Sequence, residues 1–391
     1  MARRTFLEFF AGGGMARAGL GDGWECLFAN DFNAMKAATY VANWGAGDMK
    51  VGDVAQLALA DLPDVAVDLA WASFPCQDLS LAGGYRGLGH EQDDKPTRSG
   101  TFWPFWNLIR QLAAAGRAPK LIVLENVYGV LTSHGGRDFS AIGSAIAEAG
   151  YRFGALVINA SHFVPQSRPR VFFIAARQDL ALPAKLQARE PNEEWRPTAL
   201  AQAHARLPRA AKEAWIWWNL PSPPLRNTRF ADLIEEEPRG VSWRSATETE
   251  RLLALMTPLH RAKVREASEA RARRVGAVYR RTRVDAAGQK VQRADVRFDD
   301  LAGCLRTPAG GSSRQTILVV ETRKIRSRLL SPREAARLMG LSDAYILPER
   351  YNDAYHVCGD GVCVPVVRHL AQYILEPLLG GSRRKDLAAA E

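Results

Sequence analysis

Residues 70–80 read Ala-Trp-Ala-Ser-Phe-Pro-Cys-Gln-Asp-Leu-Ser. They begin at the end of an apolar run that covers residues 65–71. A nearly continuous apolar run of this length predicts a parallel strand that is covered on both faces. In an open α/β sheet, ligands bind beyond the carboxyl ends of the strands. Cys76 follows such an end and is therefore a candidate nucleophile. The alternative is that Cys76 is a small buried side chain, as most free cysteines are.

The composition is that of an ordinary globular protein. The chain has 391 residues, of which 47% are hydrophobic and 24% charged, and this length allows one large domain and a smaller one. No apolar run approaches the roughly 18 residues of a membrane span. The basic start of the chain is followed by a short apolar run that contains a carboxylate, unlike a signal peptide. We therefore expect a cytoplasmic protein of two domains.

The cysteines argue against a disulfide framework and against a metal site. They are odd in number, widely scattered and without zinc-type spacing. The five positions are Cys26, Cys76, Cys304, Cys358 and Cys363.

The net charge of +10 is unevenly distributed along the chain. Residues 1–185 contain 17 Lys or Arg and 17 Asp or Glu, whereas residues 226–293 contain 16 and 9, an excess of 7 positive charges. A polyanionic partner such as nucleic acid, bound by the second segment, explains this asymmetry. The alternative is a solvated basic helix within 247–275, where apolar residues recur at helical spacing.

The first 53 residues predict a nucleotide-type binding site. A strand over 5–10 leads into the glycine turn 11–14, where bare backbone allows close approach of a ligand. A second strand ends at Asp31, and Asp53 follows a third. Acids at two successive strand ends fit the ribose and base of an adenosine-containing cofactor, although each is also compatible with a solvated loop. No Lys-Ser or Lys-Thr follows the glycines, so we expect no triphosphate.

Further candidate residues follow Cys76. Residues 81–100 form a long polar stretch, which predicts a mobile lid. The buried strand over 120–124 ends at Glu125, on the same predicted sheet edge as Cys76. Arg168 and Arg170 enter a later strand at that edge, where they suit an anionic or carbonyl partner. Each of these charged residues is also compatible with simple exposure to solvent.

Six motifs resemble those of the DNA (cytosine-5) methyltransferases of bacteria and phages, in that family's order. Together they cover about 1–180 and 300–375. The motifs are the glycine turn at 10–14, Phe-Pro-Cys-Gln at 74–77, Glu-Asn-Val at 125–127, Gln-Ser-Arg-Pro-Arg at 166–170, the run from Leu-Ser-Pro-Arg-Glu to Gly at 330–340, and Gly-Asp-Gly-Val at 359–362.

The resemblance implies a covalent mechanism. Cytosine C5 is a poor nucleophile, so the thiolate of Cys76 adds to C6 and turns the ring into an enamine. Glu125 contacts N3 and the exocyclic amine, and Arg168 and Arg170 hold O2 and the anionic groups. The target cytosine must be flipped out of the duplex, and loop 81–100 closes over it. The resemblance does not identify the general base that removes the C5 proton.

The resemblance also implies S-adenosyl-L-methionine as cofactor. The glycine turn holds its amino-acid end, Asp31 binds the ribose and Asp53 binds the adenine amine. The full set of implied cofactor residues is Phe10, Ala11, Gly12, Gly14, Asp31, Asp53, Pro75, Phe102, Asp360 and Gly361.

The expected fold class is α/β. It consists of a Rossmann-like S-adenosylmethionine-dependent methyltransferase sheet with helices on both faces, plus a smaller mixed target-recognition domain. Residues 1–185, completed by 345–391, form the catalytic domain, and residues 186–344 form the recognition domain. Within the latter, Gly288 separates two strand-like runs and predicts a hairpin. Its arginines are the first candidates for contacts with a DNA groove or with phosphates.

Some positions depart from the family pattern. Met15 stands where the family usually has a second glycine, and Asp360 where asparagine is usual. The family's Thr-Leu pair near the end of the recognition region is Cys304-Leu305 here. A phosphate contact expected from that threonine would then pass to Arg306 or Thr307.

We expect a monomer that acts on double-stranded DNA, with any cognate restriction endonuclease acting as a separate protein. One alternative is a tRNA cytosine methyltransferase of the same fold, against which the long basic insert argues. Another is a catalytically silent DNA-binding specificity protein, against which the intact Cys76, Glu125, Arg168 and Arg170 argue.

Overall fold

The structure is a computed structural model that describes residues 3–75, 99–190, 193–270, 272–284, 288–306, 314–322 and 324–380. Within these residues, seven strands form one sheet in the order β3-β2-β1-β4-β5-β7-β6. All neighbours are parallel except β7, which runs antiparallel to both β5 and β6. The strands are β1 (Arg4–Phe9), β2 (Trp24–Asp31), β3 (Met49–Val51), β4 (Leu69–Ala72), β5 (Leu121–Val127), β6 (Tyr151–Asn159) and β7 (Pro169–Arg177).

Helices cover both faces of this sheet, as predicted. Successive side chains of a strand point to opposite faces, so Leu121 and Val123 of β5 join one core, and Ile122 and Leu124 join the other. The first core includes α1 (Met15–Leu20) and α2 (Ala34–Trp44), and the second includes α3 (Phe102–Ala114) and α4 (Arg137–Glu148).

The second sheet is antiparallel and contains four strands of the described chain, in the order β11-β10-β8-β9. The strands are β8 (Arg274–Val284), β9 (Lys290–Arg297), β10 (Thr316–Glu321) and β11 (Lys324–Leu329). β8 and β9 form the predicted hairpin. Helices α5 (Thr198–Ala205) and α6 (Arg209–Glu213) precede this sheet in the chain. The next two helices, α7 (Ala246–Ala254) and α8 (Pro258–Glu269), pack on one face of the sheet through a small apolar core.

The chain then returns to the first sheet. Helices α9 (Pro332–Leu338), α10 (Tyr351–Asp360), α11 (Val364–Leu370) and α12 (Glu376–Leu378), with a π-helical turn at Ala371–Leu375, follow β11. Side chains of this segment complete the core that contains α1. None of the helices in the described ranges is long and apolar enough to cross a membrane.

The segment after β7 runs back along the sheet edge. Phe153 of β6 donates its N–H to the carbonyl of Ala214 (2.9 Å) and accepts from the N–H of Ile216 (2.6 Å). Trp195 and Trp218 are buried in the adjoining core, in line with the usual burial of tryptophan. The division of the chain at 185/186 and 344/345 into catalytic and recognition domains stays a prediction.

A buried ion pair joins the second sheet to the returning segment. Arg328 of β11 and Glu334 of α9 are fully buried and form a bidentate pair, with N···O distances of 2.5 and 2.7 Å. The Glu334 carboxylate also accepts the backbone N–H groups of Ser331 and Glu235, both at 2.7 Å. These contacts satisfy a charge that would otherwise be costly to bury.

Removal of one partner of this pair is expected to destabilise the fold. In R328M the Glu334 charge stays buried without its partner, so the free energy of unfolding should fall by about 3–5 kcal/mol. The double variant R328M/E334Q carries neither charge and keeps an acceptor for one of the two N–H groups, so it should regain part of that loss. Urea denaturation of the three proteins measures both effects. Equal losses in both variants would show that the unpaired charge is not the cause.

A second buried carboxyl lies beneath the glycine turn. Glu8 of β1 is 1% exposed, and the first-turn N–H groups of Ala16 and Arg17 in α1 hydrogen-bond to it. Its Oε2 atom has no hydrogen-bond partner among the described residues. Burial raises the pKa of the Glu8 carboxyl to about 8, although the nearby charge of Arg17 acts to lower it. The folded state therefore holds a proton here at neutral pH.

This proton makes the stability depend on pH. A carboxyl that releases its proton near pH 4.5 when unfolded and near pH 8 when folded stabilises the fold below pH 4.5 and loses that contribution as the pH rises to 8. Between pH 6 and pH 8 the wild type should lose on the order of 3 kcal/mol from this group. E8Q keeps an acceptor for the two N–H groups and should lack this decline. Thermal unfolding at several pH values tests the difference, and parallel curves would contradict it.

Candidate active site

Glu125 and Arg170 meet at one edge of the first sheet. Glu125, near the end of β5, lies opposite Phe172 of β7, so Arg170 is two residues away on the same face. The Arg170 Nε lies 3.1 Å from Glu125 Oε1, and both side chains are largely buried. The structure therefore brings these two predicted site residues together, as an oriented carboxyl and guanidinium pair.

Arg168 lies beside this pair but binds backbone. Its side chain is 2% exposed, and it donates to the carbonyl oxygens of Leu305 (3.2 Å), Gly359 (2.9 Å) and Gly361 (2.7 Å). The guanidinium thus fastens three distant segments of the chain to one another. The contact of Arg168 with O2 of a base stays a prediction, and the bonds in the structure assign it a positioning role.

Cys304 lies between the two arginines. Its Sγ is 3.4 Å from Arg168 Nη1 and 3.8 Å from Arg170 Nη2. Burial acts to raise the pKa of the Cys304 thiol, but the positive charges of Arg168 and Arg170 outweigh it and lower the pKa below its usual value. The sequence showed only that cysteine replaces the family's threonine. The two arginines that surround it come from a strand more than a hundred residues earlier, which no local pattern reveals.

The segment that leads to Cys76 is tied to the same edge. Asn126 of β5 donates its side-chain N–H to the carbonyl of Phe74 (3.2 Å), and Phe74 packs against Phe102 with ring centroids 5.4 Å apart. Pro75 is half-buried. Cys76 itself and most of the predicted lid lie outside the described residues.

Phe102 differs in placement from the other implied cofactor residues. It is 0% exposed and packs against Phe74, Trp103 and Trp106. In this structure its ring is a packing partner of Phe74. Its expected contact with a cofactor stays a prediction.

The glycine turn presents bare backbone. Gly12 has φ +57°, a conformation that favours glycine, and no atom lies within 4 Å of the position where a side chain would begin. The Gly13 carbonyl accepts hydrogen bonds from Tyr345 Oη (2.7 Å) and Trp44 Nε1 (3.2 Å), which fix the turn from behind. Phe10 precedes the turn, Ala11 opens it, and Gly14 caps α1. Sequence reasoning did not find Tyr345, because it lies more than 300 residues from its partner.

Two carboxylates lie at the neighbouring strand ends, as predicted. The Asp31 carboxylate accepts the backbone N–H groups of Gly12 and Asn33, both at 2.8 Å. Asp53 is exposed after β3 and accepts the N–H of Ala55 (3.0 Å). Between them along the chain, the ring of Phe32 is 72% exposed. Sequence analysis missed Phe32, although an aromatic residue directly after an acid at a strand end was the available signal.

The closing turn completes this part of the site. Asp360, at the end of α10, pairs with Lys36 of α2 (2.6 Å). A side chain at Gly361 would begin 2.2 Å from the Met15 sulfur. Met15, which replaces a glycine of the family pattern, therefore fills space that only a glycine at 361 leaves free. The departure from the pattern at Met15 is therefore compatible with the glycine at 361.

The sequence is similar to a known family and to individual known proteins. The family model described as C-5 cytosine-specific DNA methylase matches residues 4–376, nearly the whole chain. The type II methyltransferase M.NlaX of Neisseria lactamica is 26% identical over 383 residues, which cover 97% of this chain and 98% of that protein. The type II methyltransferase M.BsuFI of Bacillus subtilis is 32% identical over 180 residues, which cover 46% of this chain and 40% of that protein.

A solved structure shares the fold. The S. pombe Dnmt2 methyltransferase superposes with a TM-score of 0.58 at 17% identity, covering 96% of this chain and 99% of that chain. At this identity the likeness shows the fold alone, and it confirms the predicted α/β class with a smaller second domain. The match of the family model over nearly the whole chain carries the assignment, and the resemblance of the six motifs is confirmed. The chain belongs to the family of C-5 cytosine-specific DNA methylases.

Proposed function

We propose that the protein transfers a methyl group from S-adenosylmethionine to C5 of a cytosine in duplex DNA, with Cys76 as nucleophile. The observation that carries the proposal is the Glu125–Arg170 pair, at the sheet edge where Asn126 holds the segment leading to Cys76. Membership of the family supplies the reaction class. The ion pair supports the proposal, because Arg170 fixes the orientation of the Glu125 carboxyl.

Cys76 performs the covalent step. Its thiolate forms a bond to C6 of the cytosine, and the electrons of the C5=C6 double bond move toward C5 and the N3 side of the ring. After C5 has gained the methyl group, a base removes the C5 proton. The electron pair of that C–H bond restores the double bond, the S–C6 bond breaks and the thiolate leaves. The base is unassigned.

Glu125 holds and protonates the ring. Arg170 binds Glu125 Oε1, and the carboxyl held in this way faces N3 and the exocyclic amine. A proton on Glu125 passes to N3 while C6 is attacked, which neutralises the charge that develops on the ring. Arg170 fixes the plane of the carboxyl, and Arg168 fixes the backbone around it.

The residues at the ends of β1, β2 and β3 fit the proposed cofactor. The bare backbone at Gly12 admits its amino-acid end, Asp31 offers carboxylate oxygens to ribose hydroxyls, and the exposed ring of Phe32 and the carboxylate of Asp53 suit the face and the amine of adenine. When bound there, S-adenosylmethionine supplies an electrophilic methyl group for C5. The other residues proposed to line or support this site are Phe10, Ala11, Gly14, Pro75, Phe102, Asp360 and Gly361.

The proposal extends to the organisation of the protein. Residues 1–185 with 345–391 serve catalysis, and residues 186–344 serve recognition of the target sequence. The protein acts as a monomer in the cytoplasm. Because relatives carry the name type II methyltransferase, a restriction endonuclease of the same specificity would be a separate chain.

One prediction of the proposed function concerns the nucleophile, and a second concerns the carboxyl. C76A should lower transfer of labelled methyl groups to duplex DNA by more than about 10³-fold, because the covalent path is lost. Binding of S-adenosylmethionine, measured by calorimetry, should be unchanged. Full activity of C76A would contradict the assignment. Wild-type transfer to tRNA but not to DNA would favour the tRNA enzyme, and DNA binding without transfer would favour the silent specificity protein.

The second prediction concerns the carboxyl. E125Q keeps the shape of the side chain but has no proton to share, so methyl transfer should fall by about 10²–10⁴-fold. The matched control is E148Q, at the exposed end of α4, which should retain wild-type rates. Initial rates with saturating cofactor measure both. Equal activity of E125Q and E148Q would remove Glu125 from the mechanism.

A further inference from the structure

The β8–β9 hairpin extends beyond its sheet. β10 pairs with β8 only over 274–278, whereas β9 pairs with β8 over 277–284. Residues 279–284 and 290–295 therefore form a ribbon of two strands, and residues 280–284 are exposed. Neither the fold nor the proposed chemistry accounts for this extension.

The ribbon is strongly basic. Among its described residues, Asp295 at the base is the one acidic residue. Arg281 lies directly opposite Arg293 in the register, and like charges in such a position destabilise a strand pair. Arg281 lies 3.9 Å from Asp295, and its guanidinium is over the Tyr279 ring, 5.7 Å from the ring centroid. The five cations of this part of the ribbon are Arg280, Arg281, Arg283, Lys290 and Arg293.

The two faces of the ribbon differ. Because side chains alternate along each strand, Arg281, Arg283 and Arg293 share one face, which we call the arginine face. The centre of the opposite face is neutral, where Gln292 donates to Thr282 Oγ1 (2.7 Å). The arginine face therefore concentrates guanidinium groups that repel one another.

The arginine face leads toward the candidate active site. At the base of the ribbon, Arg281 and Tyr279 line a cavity of about 440 Å³ together with Ser167, Pro169 and Cys304. Cys304 is in turn 3.8 Å from Nη2 of Arg170, the partner of Glu125. A polyanion that lies on the arginine face is thus adjacent to the groups proposed to act on the base.

A DNA major groove fits this ribbon in size and chemistry. The groove is about 12 Å wide and admits a two-stranded ribbon. Five residues of extended strand span about 17 Å. The planar fork of an arginine side chain donates two hydrogen bonds to O6 and N7 of guanine. Arg281 and Arg293 lie directly opposite one another in the register, so their side chains are neighbours on this face.

We propose that the arginine face enters the major groove beside the target cytosine and that Arg281 and Arg293 read guanine bases there. The inference rests on the proposed function, since it names the residues that select the sequence to be methylated. When O6 and N7 of guanine accept hydrogen bonds from the two guanidinium groups, the repulsion between these groups also decreases.

The test measures which sequences are methylated. Purified full-length wild type and variants act on a library of randomised duplexes, and methylated cytosines are found by methylation-sensitive sequencing. In R281A/R293A, preference for guanine at one or more positions near the target should fall by about 5- to 100-fold. R281K/R293K keeps the charge but lacks the fork, so it should lose the preference as well. The matched control R280A/K290A removes two charges from the opposite face and should keep the wild-type sequence preference.

Other outcomes would overturn the inference. If R281A/R293A methylates all sequences more slowly with unchanged preference, and R281K/R293K restores the rate, the arginines bind phosphates. An unchanged rate and preference would show that the face does not dock DNA. A wild type that methylates no duplex at all would refute the proposed function itself. The altered side chains are exposed or half-buried, and equal melting temperatures would verify that every variant is folded.

Discussion

The structure depends on one buried guanidinium. Arg168, just before β7, donates to backbone carbonyls at residue 305 and at residues 359 and 361. A charge with so little exposure is stable only when its N–H groups find acceptors, so these contacts hold the three segments in place. The segment that follows β9, the turn after α10 and the Glu125–Arg170 pair consequently share one edge of the first sheet.

Much of this edge was predictable from sequence, because strand ends are local features. Apolar runs located β4 and β5. The strand predicted to stop before Glu125 continues to Val127, so Glu125 lies near its end and not after it, and Asp31 was found at the end of β2 in the same way. The partners of Arg168 were not predictable, because they follow it by 137 to 193 residues. The fit of Gly361 against Met15 and the bond from Tyr345 to Gly13 are likewise set by packing. No periodic pattern in the sequence indicates contacts between residues so far apart in the chain.

The division of charge along the chain has a structural counterpart. The balanced first 185 residues build the sheet and its candidate site, where charges such as Glu125 are paired. The excess of positive charge lies in 226–293 and includes the projecting part of β8 and the facing part of β9. In the proposed function, chemistry and recognition of DNA therefore belong to different sheets, which are joined by the contacts of Arg168 and by the buried pair of Arg328 and Glu334.

The central claim is that Cys76 adds to C6 of a cytosine, and covalent capture tests it most directly. Fluorine at C5 cannot leave as the C5 proton does, so a duplex that carries 5-fluorocytosine blocks the elimination that breaks the S–C6 bond. With S-adenosylmethionine present, the account predicts a complex of protein and DNA that survives denaturation, with the DNA located on Cys76 by peptide mapping. Attachment at another residue, or methylation of ordinary DNA without any captured complex, would contradict the account.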